Sequence, residues 1–270
     1  MVSISHLFIY PIKGCGGVAV QQWPLERTGL RHDREWMLID EQDRFISQRE
    51  EPKMALCRIS QHTDGWHIRF DESVNTLKLP FKPEVGMPIS VRIWDDQVEG
   101  ITGWSESDSF FSNAIGRDVR LVYFSTQGHR RVDPRFATQP HFTFFSDGYP
   151  ILLAGSASLD LLNSKLPVPI DWDRFRPNIV VQTLEAHIED QWTSLAHQHF
   201  QLLLVKPCAR CVVTTIDQRT ALSGKEPLRT LAGYRQKENK ILFGMNTLIA
   251  SMQPEAHLRV GDILDPEGKD

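Results

Sequence analysis

The sequence predicts a mainly β protein of the α+β class, in which strands form barrels and a few helices cover them. Short segments rich in β-branched and aromatic residues recur along the 270 residues, and turn-forming glycines and Asp-Gly pairs separate them. Helical patterns are few and do not alternate regularly with the strands. This argues against a doubly wound parallel sheet.

The elements follow from these patterns in chain order. The predicted strands are Leu7 to Tyr10, Trp36 to Asp40, Trp66 to Phe70, Ile89 to Trp94, Val119 to Tyr123, Ile179 to Gln182, Phe200 to Val205 and Val212 to Ile216. Helices are predicted over Ser105 to Gly116 from its apolar face, and over Ser156 to Leu166 from leucines at helical spacing after a serine cap. A third helix, Pro227 to Arg235, begins with proline in its first turn.

Composition is that of an ordinary globular protein, with 41% hydrophobic and 24% charged residues. The net charge of -4 argues against general nucleic-acid binding, which needs a basic face. No apolar run approaches the roughly eighteen residues that span a bilayer, and the N-terminus is not a secretory signal. We therefore expect a cytoplasmic protein without membrane attachment, whose four cysteines are thiols.

The most informative motif is a cysteine pair. Cys208 and Cys211 flank Arg210 in Pro-Cys-Ala-Arg-Cys-Val-Val-Thr-Thr-Ile-Asp. Positive charge beside a thiol favours the thiolate, which suits soft metals and redox chemistry. A zinc site would need more ligands at short spacing, and a thioredoxin motif would start a helix where strand-like residues follow here. The residues alone leave open that both cysteines are only buried small side chains.

Three basic residues stand at turns or strand entrances. Lys13 precedes Gly14, and a lysine among glycines can bring backbone N–H groups to an anion. Arg34 and Arg176 each lie just before a predicted strand, and arginine suits bidentate binding of phosphate or carboxylate. Taken alone, such a lysine is more often part of an ordinary hairpin, and such an arginine more often forms a surface salt bridge. The sequence contains no phosphate loop, dinucleotide fingerprint or nucleophile elbow.

Together and in this order, the segments resemble the MOSC proteins, and more narrowly the branch that contains bacterial YcbX and the mitochondrial amidoxime-reducing component. The shared segments are Tyr-Pro-Ile-Lys, Gly-Leu…Asp-Arg, Gln-Arg-Glu-Glu-Pro, Ser-Asp-Gly-Tyr-Pro, Phe-Arg-Pro-Asn, the cysteine motif, Lys-Glu-Pro-Leu-Arg-Thr-Leu and Phe-Gly-Met-Asn. Each is short, but jointly they are specific and extend from Leu7 to about Leu264.

The resemblance implies a β-rich N-terminal MOSC module over residues 1–125, whose residues 1–34 also contribute to the site, and a MOSC β-barrel domain over residues 126–266. It implies a molybdenum cofactor: a phosphate-bearing pterin dithiolene whose metal takes one protein cysteine as ligand. That ligand falls on Cys211. The implied cofactor-contacting positions are Lys13, Gly14, Arg34, Ser146, Asp147, Gly148, Tyr149, Arg176, Asn178 and Ala209.

Two positions depart from the family pattern. Gly14 and Ala209 stand where serine is common, so a hydroxyl contact would be lost at Gly14 while its backbone N–H could remain. The sequence also lacks the four-cysteine pattern of the plant-type ferredoxin domain that longer bacterial relatives carry. We therefore expect electrons to come from a separate iron–sulfur or flavin protein.

The resemblance thus implies a molybdenum-dependent reductase of N-hydroxylated compounds such as amidoximes, hydroxylamines and N-hydroxylated bases. We expect no nucleic-acid partner and no metal beyond molybdenum. Asp217 is a candidate proton donor, although an aspartate that ends a strand can equally be structural. Three alternatives remain: a sulfur-transfer protein with a persulfide-carrying cysteine, a non-enzymatic cofactor carrier, and a scaffold that binds a partner protein.

Overall fold

The computed structural model describes residues 1–70, 75–125, 127–137 and 139–268. Within these ranges the strands, in chain order, are β1 (Val2–Ile9), β2 (Val18–Val20), β3 (Gln22–Glu26), β4 (Gly29–Leu30), β5 (Trp36–Ile39), β6 (Cys57–His62), β7 (Gly65–Phe70), β8 (Leu77–Leu79), β9 (Met87–Ile93), β10 (Asp96–Thr102), β11 (Arg120–Phe124), β12 (Ile151–Gly155), β13 (Ile179–Val181), β14 (Trp192–His197), β15 (Phe200–Ala209), β16 (Gln236–Lys237), β17 (Lys240–Met252), β18 (His257–Arg259) and β19 (Ile263–Gly268). The helices are α1 (Ser105–Ile115), α2 (Ser156–Asn163) and α3 (Leu228–Arg235), with 3-10 helices at Pro52–Leu56, Pro134–Phe136, Trp172–Arg174, Ile188–Gln191 and Val212–Thr215.

None of the helices in these ranges is long and apolar enough to cross a membrane. The boundary predicted between residues 1–125 and residues 126–266 falls at residue 126, which lies outside the described residues. The division into these two domains therefore stays a prediction.

Seven strands close into a barrel, which confirms the predicted mainly β fold. Around the barrel the order is β12, β13, β1, β19, β14, β15 and β17, and β17 pairs back with β12. Neighbouring strands are antiparallel except β12 and β13, which are parallel. Closure pairs every strand of the ring on both sides, and alternate side chains such as Leu153, Leu195 and Leu202 are fully buried.

The first strand of the chain is part of this ring. β1 lies between β13 and β19, with Ile4 opposite Val181 and Ser3 opposite Ile263. Its residues Ile4, Leu7 and Ile9 are buried. The barrel is therefore completed by a segment from the opposite end of the sequence.

A second, four-stranded sheet has the order β5, β11, β10, β9 and its own apolar core. It is tied to the segment after β1, because the backbone N–H of Lys13 donates to the carbonyl of Trp36 at 2.8 Å. The two-residue turn between β9 and β10 places Trp94 at the hairpin tip, with a φ of 55°. Such turns need a left-handed backbone at their first central residue, which is uncommon for a bulky side chain.

Seven of the eight predicted strands and all three predicted helices form, with ends that differ by a few residues. The strand predicted over residues 212–216 is wrong, because the chain forms a 3-10 helix there, Val212–Thr215. The hydroxyls of Thr214 and Thr215 donate to the carbonyls three residues earlier, at 2.9 and 2.8 Å. These bonds favour a turn over extension despite the β-branched composition.

Candidate functional site

A pocket of about 300 Å³ is lined by barrel strands β12, β15 and β17, by loops of the N-terminal region and by Trp94. Its basic lining side chains are Lys13, Arg34, Arg49, Arg176, Lys206 and Arg210. Among the described lining residues Asp147 alone is acidic, whereas the whole chain has a net charge of -4. The two cysteines of the predicted motif also face this pocket. The concentration of positive charge suits an anionic ligand.

The predicted cofactor-contacting positions come together in this one pocket. Its lining includes Lys13, Gly14, Arg34, Ser146, Asp147, Gly148, Tyr149, Arg176, Asn178, Ala209 and Cys211. They arrive from distant parts of the chain, because the loop after β1, the turn before β5 and the ends of β12, β13 and β15 meet here. The structure shows their convergence, while the role of each remains a prediction.

Lys13 enters the pocket almost fully buried, and its Nζ donates to Oδ1 of Asp147 at 2.5 Å. Desolvation lowers the pKa of Lys13 to about 8, and the charge of Asp147 offsets only part of this effect. Desolvation also acts to raise the pKa of Asp147, but Lys13, Arg34 and Arg49 outweigh it and hold that pKa well below its ordinary value. The Asp147 side chain is itself 77% exposed, so its carboxylate stays accessible to solvent.

The presence of glycine at position 14, one of the two departures from the family pattern, has a local physical explanation. Its φ is 83°, a left-handed conformation that favours glycine. A Cβ there would also lie 2.6 Å from Cε of Met54. The Gly14 carbonyl accepts a hydrogen bond from Nε2 of Gln48 at 2.7 Å, which fixes the loop at the pocket floor.

Arg34 and Arg176 share one aromatic ring. The central carbon of each guanidinium lies 4.3 Å from the centre of the Tyr10 ring, within cation–π range. Arg34 donates to Asp33 at 2.5 Å and to Asn178 at 3.0 Å. The guanidinium of Arg176 has no hydrogen-bond acceptor among the described residues. Desolvation and the charge of Arg34 lower the pKa of Arg176.

Both of these arginines have left-handed backbones, with φ values of 53° for Arg34 and 56° for Arg176. Such conformations cost energy in non-glycine residues and concentrate at functional sites. These backbone conformations direct two cationic side chains into one pocket. Because the Arg176 guanidinium has no hydrogen-bond acceptor among the described residues, its donors are available to a ligand.

Cys208 lies near the end of β15, where the chain leaves the barrel. The Arg210 guanidinium donates to Sγ of Cys208 at 3.0 Å and to the carbonyl of Phe175 at 2.6 Å. Arg210 is thus held by two acceptors and fixes the chain between the two cysteines.

Cys211 precedes the 3-10 helix and has a different partner. Nη2 of Arg49 lies 3.3 Å from its sulfur, and the Arg49 guanidinium lies 4.5 Å from the centre of the Trp94 ring. The predicted set of site residues did not include five residues that also line the pocket, namely Arg49, Trp94, Lys206, Arg210 and Cys208. The signal for Arg49 was present, because Gln48-Arg49 belongs to one of the shared family segments.

Two buried polar atoms of lining residues have no hydrogen-bond partner among the described residues. They are the hydroxyl of Tyr149 and Nε of Arg210. Buried donors are usually paired, so these two donors are available to acceptor atoms of a ligand in the pocket. Desolvation and the charge of Asp133 raise the pKa of Tyr149 to about 12, so its hydroxyl keeps its proton.

Asp217 is not among the described residues that line the pocket. Its carboxylate accepts a bond from Nη2 of Arg174 at 2.8 Å, and from the backbone N–H groups of Arg219 and Thr220, both at 2.9 Å. These contacts stabilise the turn that follows the 3-10 helix. We assign Asp217 no part in the chemistry below.

Residues 1–118 match the family model described as MOSC N-terminal beta barrel domain, and residues 140–265 match the MOSC domain. The chain is 31% identical over 280 residues to mitochondrial amidoxime-reducing component 1 of Homo sapiens, covering 96% of this chain and 81% of that protein. It is also 31% identical over 274 residues to the molybdenum cofactor sulfurase of Oryza sativa subsp. japonica, covering 90% of this chain and 32% of that protein. Among solved structures, the YUAD protein from Bacillus subtilis aligns over 100% of this chain and 98% of its own, with 9% identity and a TM-score of 0.47.

Proposed function

This chain belongs to the MOSC family, and from that premise we propose that its pocket binds a molybdenum cofactor and that the loaded protein reduces N-hydroxylated compounds. One observation carries the proposal: six basic side chains and two thiols face a single pocket. Phosphate favours arginine and lysine, and molybdenum favours a thiolate ligand. The similarity to an amidoxime-reducing component directs the choice of substrate class.

The residues present fit such a cofactor. Lys13, Arg34 and Arg176 would hold its phosphate, because they are cationic and Arg176 has unpaired donors. Cys211 would hold the metal. The unpaired Tyr149 hydroxyl and Arg210 Nε would donate to acceptor atoms of the cofactor or of a substrate. When bound, the cofactor would supply two-electron redox chemistry at molybdenum.

The overall reaction is balanced by an external electron donor. An N–OH compound, two electrons and two protons give the N–H compound and water. The electrons come from a separate iron–sulfur or flavin protein. The chain's own part is to orient the substrate, to limit water around the reacting oxygen and to stabilise the charge that develops there.

The proposal is tested by producing the protein in a host shown to load a control molybdenum enzyme. We expect roughly stoichiometric molybdenum and pterin, and reduction of benzamidoxime with an artificial electron donor. Cys211→Ala should lose most of the metal and, with it, the reduction of benzamidoxime. Absence of metal and pterin from folded wild-type protein would refute the cofactor assignment.

A second candidate function is sulfur transfer. It is favoured by the similarity to a molybdenum cofactor sulfurase, of which the chain spans about a third, and by the second pocket thiol, Cys208. In that case a cysteine would carry a persulfide. Mass spectrometry of protein purified without reductant distinguishes the two functions. A sulfur-transfer protein would carry a persulfide, which adds the mass of one sulfur atom to a cysteine, whereas a reductase requires no persulfide.

A further inference from the structure

Arg49 contacts the sulfur of Cys211 and keeps most of its hydrogen-bonding capacity. Its Nη2 donates to Sγ at 3.3 Å. A guanidinium has five N–H donors, and this sulfur is the one hydrogen-bond acceptor of the Arg49 guanidinium among the described residues. The remaining donors are therefore available to an oxygen atom of a ligand that lies beside the thiol.

The backbone beneath Arg49 is fixed to the segment that carries the cysteine. The neighbouring Gln48 is buried, and its amide exchanges hydrogen bonds with the amide of Gln218 in both directions, at 3.0 and 2.9 Å. Gln218 follows the 3-10 helix that begins after Cys211. The pair links the two turns directly, so the guanidinium and the sulfur are held in register without relying on their own contact.

Trp94 fixes the other side of the guanidinium. Its ring centre lies 4.5 Å from the central carbon of Arg49, at the tip of the β9–β10 hairpin. The Trp94 ring also packs against Phe45, with ring centres 4.8 Å apart. This cation–π contact restricts the movement of the guanidinium, so its unused donors are held near the thiol.

Resting on the proposed function, we propose that Arg49 is a catalytic residue that binds the oxygen atom of the substrate N–OH group. As the N–O bond breaks, its electron pair moves to the oxygen, which takes up one proton and leaves as water. The nitrogen receives the two electrons that derive from the external redox protein, together with the second proton, and becomes the N–H product. Arg49 keeps its own proton and stabilises the negative charge that grows on the oxygen, as preorganised donors do in other reactions.

Binding of a matched ligand pair tests the proposal without turnover. N4-hydroxycytosine and cytosine are both neutral near pH 7 and differ by one oxygen atom. Calorimetry is done on oxidised, cofactor-loaded protein without an electron donor. Wild type should bind N4-hydroxycytosine about tenfold more tightly than cytosine. Arg49→Gln should remove this preference and leave the molybdenum content unchanged. Arg117→Gln is the control, since Arg117 contacts Asp40 at 3.7 Å and is absent from the pocket lining.

Steady-state kinetics provides the second readout. We expect Arg49→Gln to lower kcat about a hundredfold, as for removal of one preorganised donor, with Arg49→Lys intermediate. Unchanged preference for the hydroxylated ligand in Arg49→Gln would overturn the proposal. A parallel loss of molybdenum and activity would also overturn it, because Arg49 would then only retain the cofactor. If wild type binds the pair as expected but reduces nothing, the proposed function fails while the oxygen-binding role stands.

Discussion

The guanidinium of Arg49 lies 3.3 Å from the sulfur of Cys211, although the two residues are 162 positions apart in the chain. The other pocket thiol, Cys208, has its partner two positions away, in Arg210. The two thiols therefore differ in their surroundings. Arg210 also donates to the Phe175 carbonyl at 2.6 Å, so the Cys208 contact is part of a fixed turn. Arg49 has no such second acceptor among the described residues.

This difference predicts unequal effects of removing each thiol. Cys211→Ala should lose most of its molybdenum, because it removes the proposed ligand, while the basic residues still retain some pterin. Cys208→Ala should keep both metal and pterin. Metal analysis and fluorescence of the released pterin measure the two quantities. Greater metal loss in Cys208→Ala would assign the ligand to Cys208 instead.

Anion binding should weaken as the pH rises through about 8, the pKa of Lys13. Below that pH Lys13 is cationic and neutralises Asp147, whereas above it the carboxylate stands alone and repels anions. Sulfate is a suitable probe because its charge is constant in this range. We expect its affinity, measured by calorimetry, to fall about tenfold between pH 7 and pH 9.

Lys13→Arg provides the matched control for this experiment, because arginine stays charged over the same range. The variant should bind sulfate with little change between the two pH values. An equal loss of affinity in wild type and Lys13→Arg would assign the pH dependence to another group.

The unpaired hydroxyl of Tyr149 predicts a variant that affects ligand binding without harming stability. Tyr149→Phe removes a buried group that has no partner among the described residues, so the free energy of unfolding should fall by less than about 0.5 kcal/mol or rise. Retention of the cofactor, or affinity for substrate, should fall. Tyr123→Phe is the control, since its hydroxyl donates to Glu35 at 3.1 Å, and it should cost about 1–2 kcal/mol.

Urea unfolding of ligand-free protein and pterin release from loaded protein measure these two effects separately. If Tyr149→Phe is as destabilising as Tyr123→Phe, the Tyr149 hydroxyl has a structural partner and the ligand argument fails.

Gly29 predicts a stability defect that originates outside the pocket. Its φ is 121°, and a Cβ there would lie 2.8 Å from the carbonyl oxygen of Pro150, which ends the pocket turn. Gly29→Ala should therefore destabilise the fold by about 1–3 kcal/mol. Gly148→Ala, in the same turn, meets nothing within 4 Å and should cost less than about 0.5 kcal/mol. The difference in urea midpoint tests both, and equal midpoints would contradict the close approach of Gly29 and Pro150.

Much of the fold was predictable because its strands have a local signal. Segments such as β7 and β13 combine β-branched or aromatic residues with flanking turns, and they form as predicted. The segment after Cys211 has the same composition but becomes a 3-10 helix, because the hydroxyls of Thr214 and Thr215 bond to nearby carbonyls. Composition does not distinguish these outcomes.

The site was predictable only where a family segment marked it. Lys13 and Arg176 carry no individual signal of function, yet the family order placed both in the predicted set. Arg49 belongs to a shared segment as well, but its importance depends on a contact with Cys211 that forms only in the folded chain. Asp217 ends the cysteine motif, and its carboxylate stabilises a turn, while its predicted role as a proton donor stays a prediction.

The position of β1 has a consequence for how this architecture can be divided and inherited. A fragment starting at residue 140 would contain the whole region that matches the MOSC domain model. It would lack β1, the strand that lies between β13 and β19 in the barrel. Two strand edges would then be open to other chains, inviting aggregation or strand exchange between molecules. The barrel therefore draws strands from both matched regions, and we expect that a recombinant that exchanges one of them must also carry the residues that pair with β1.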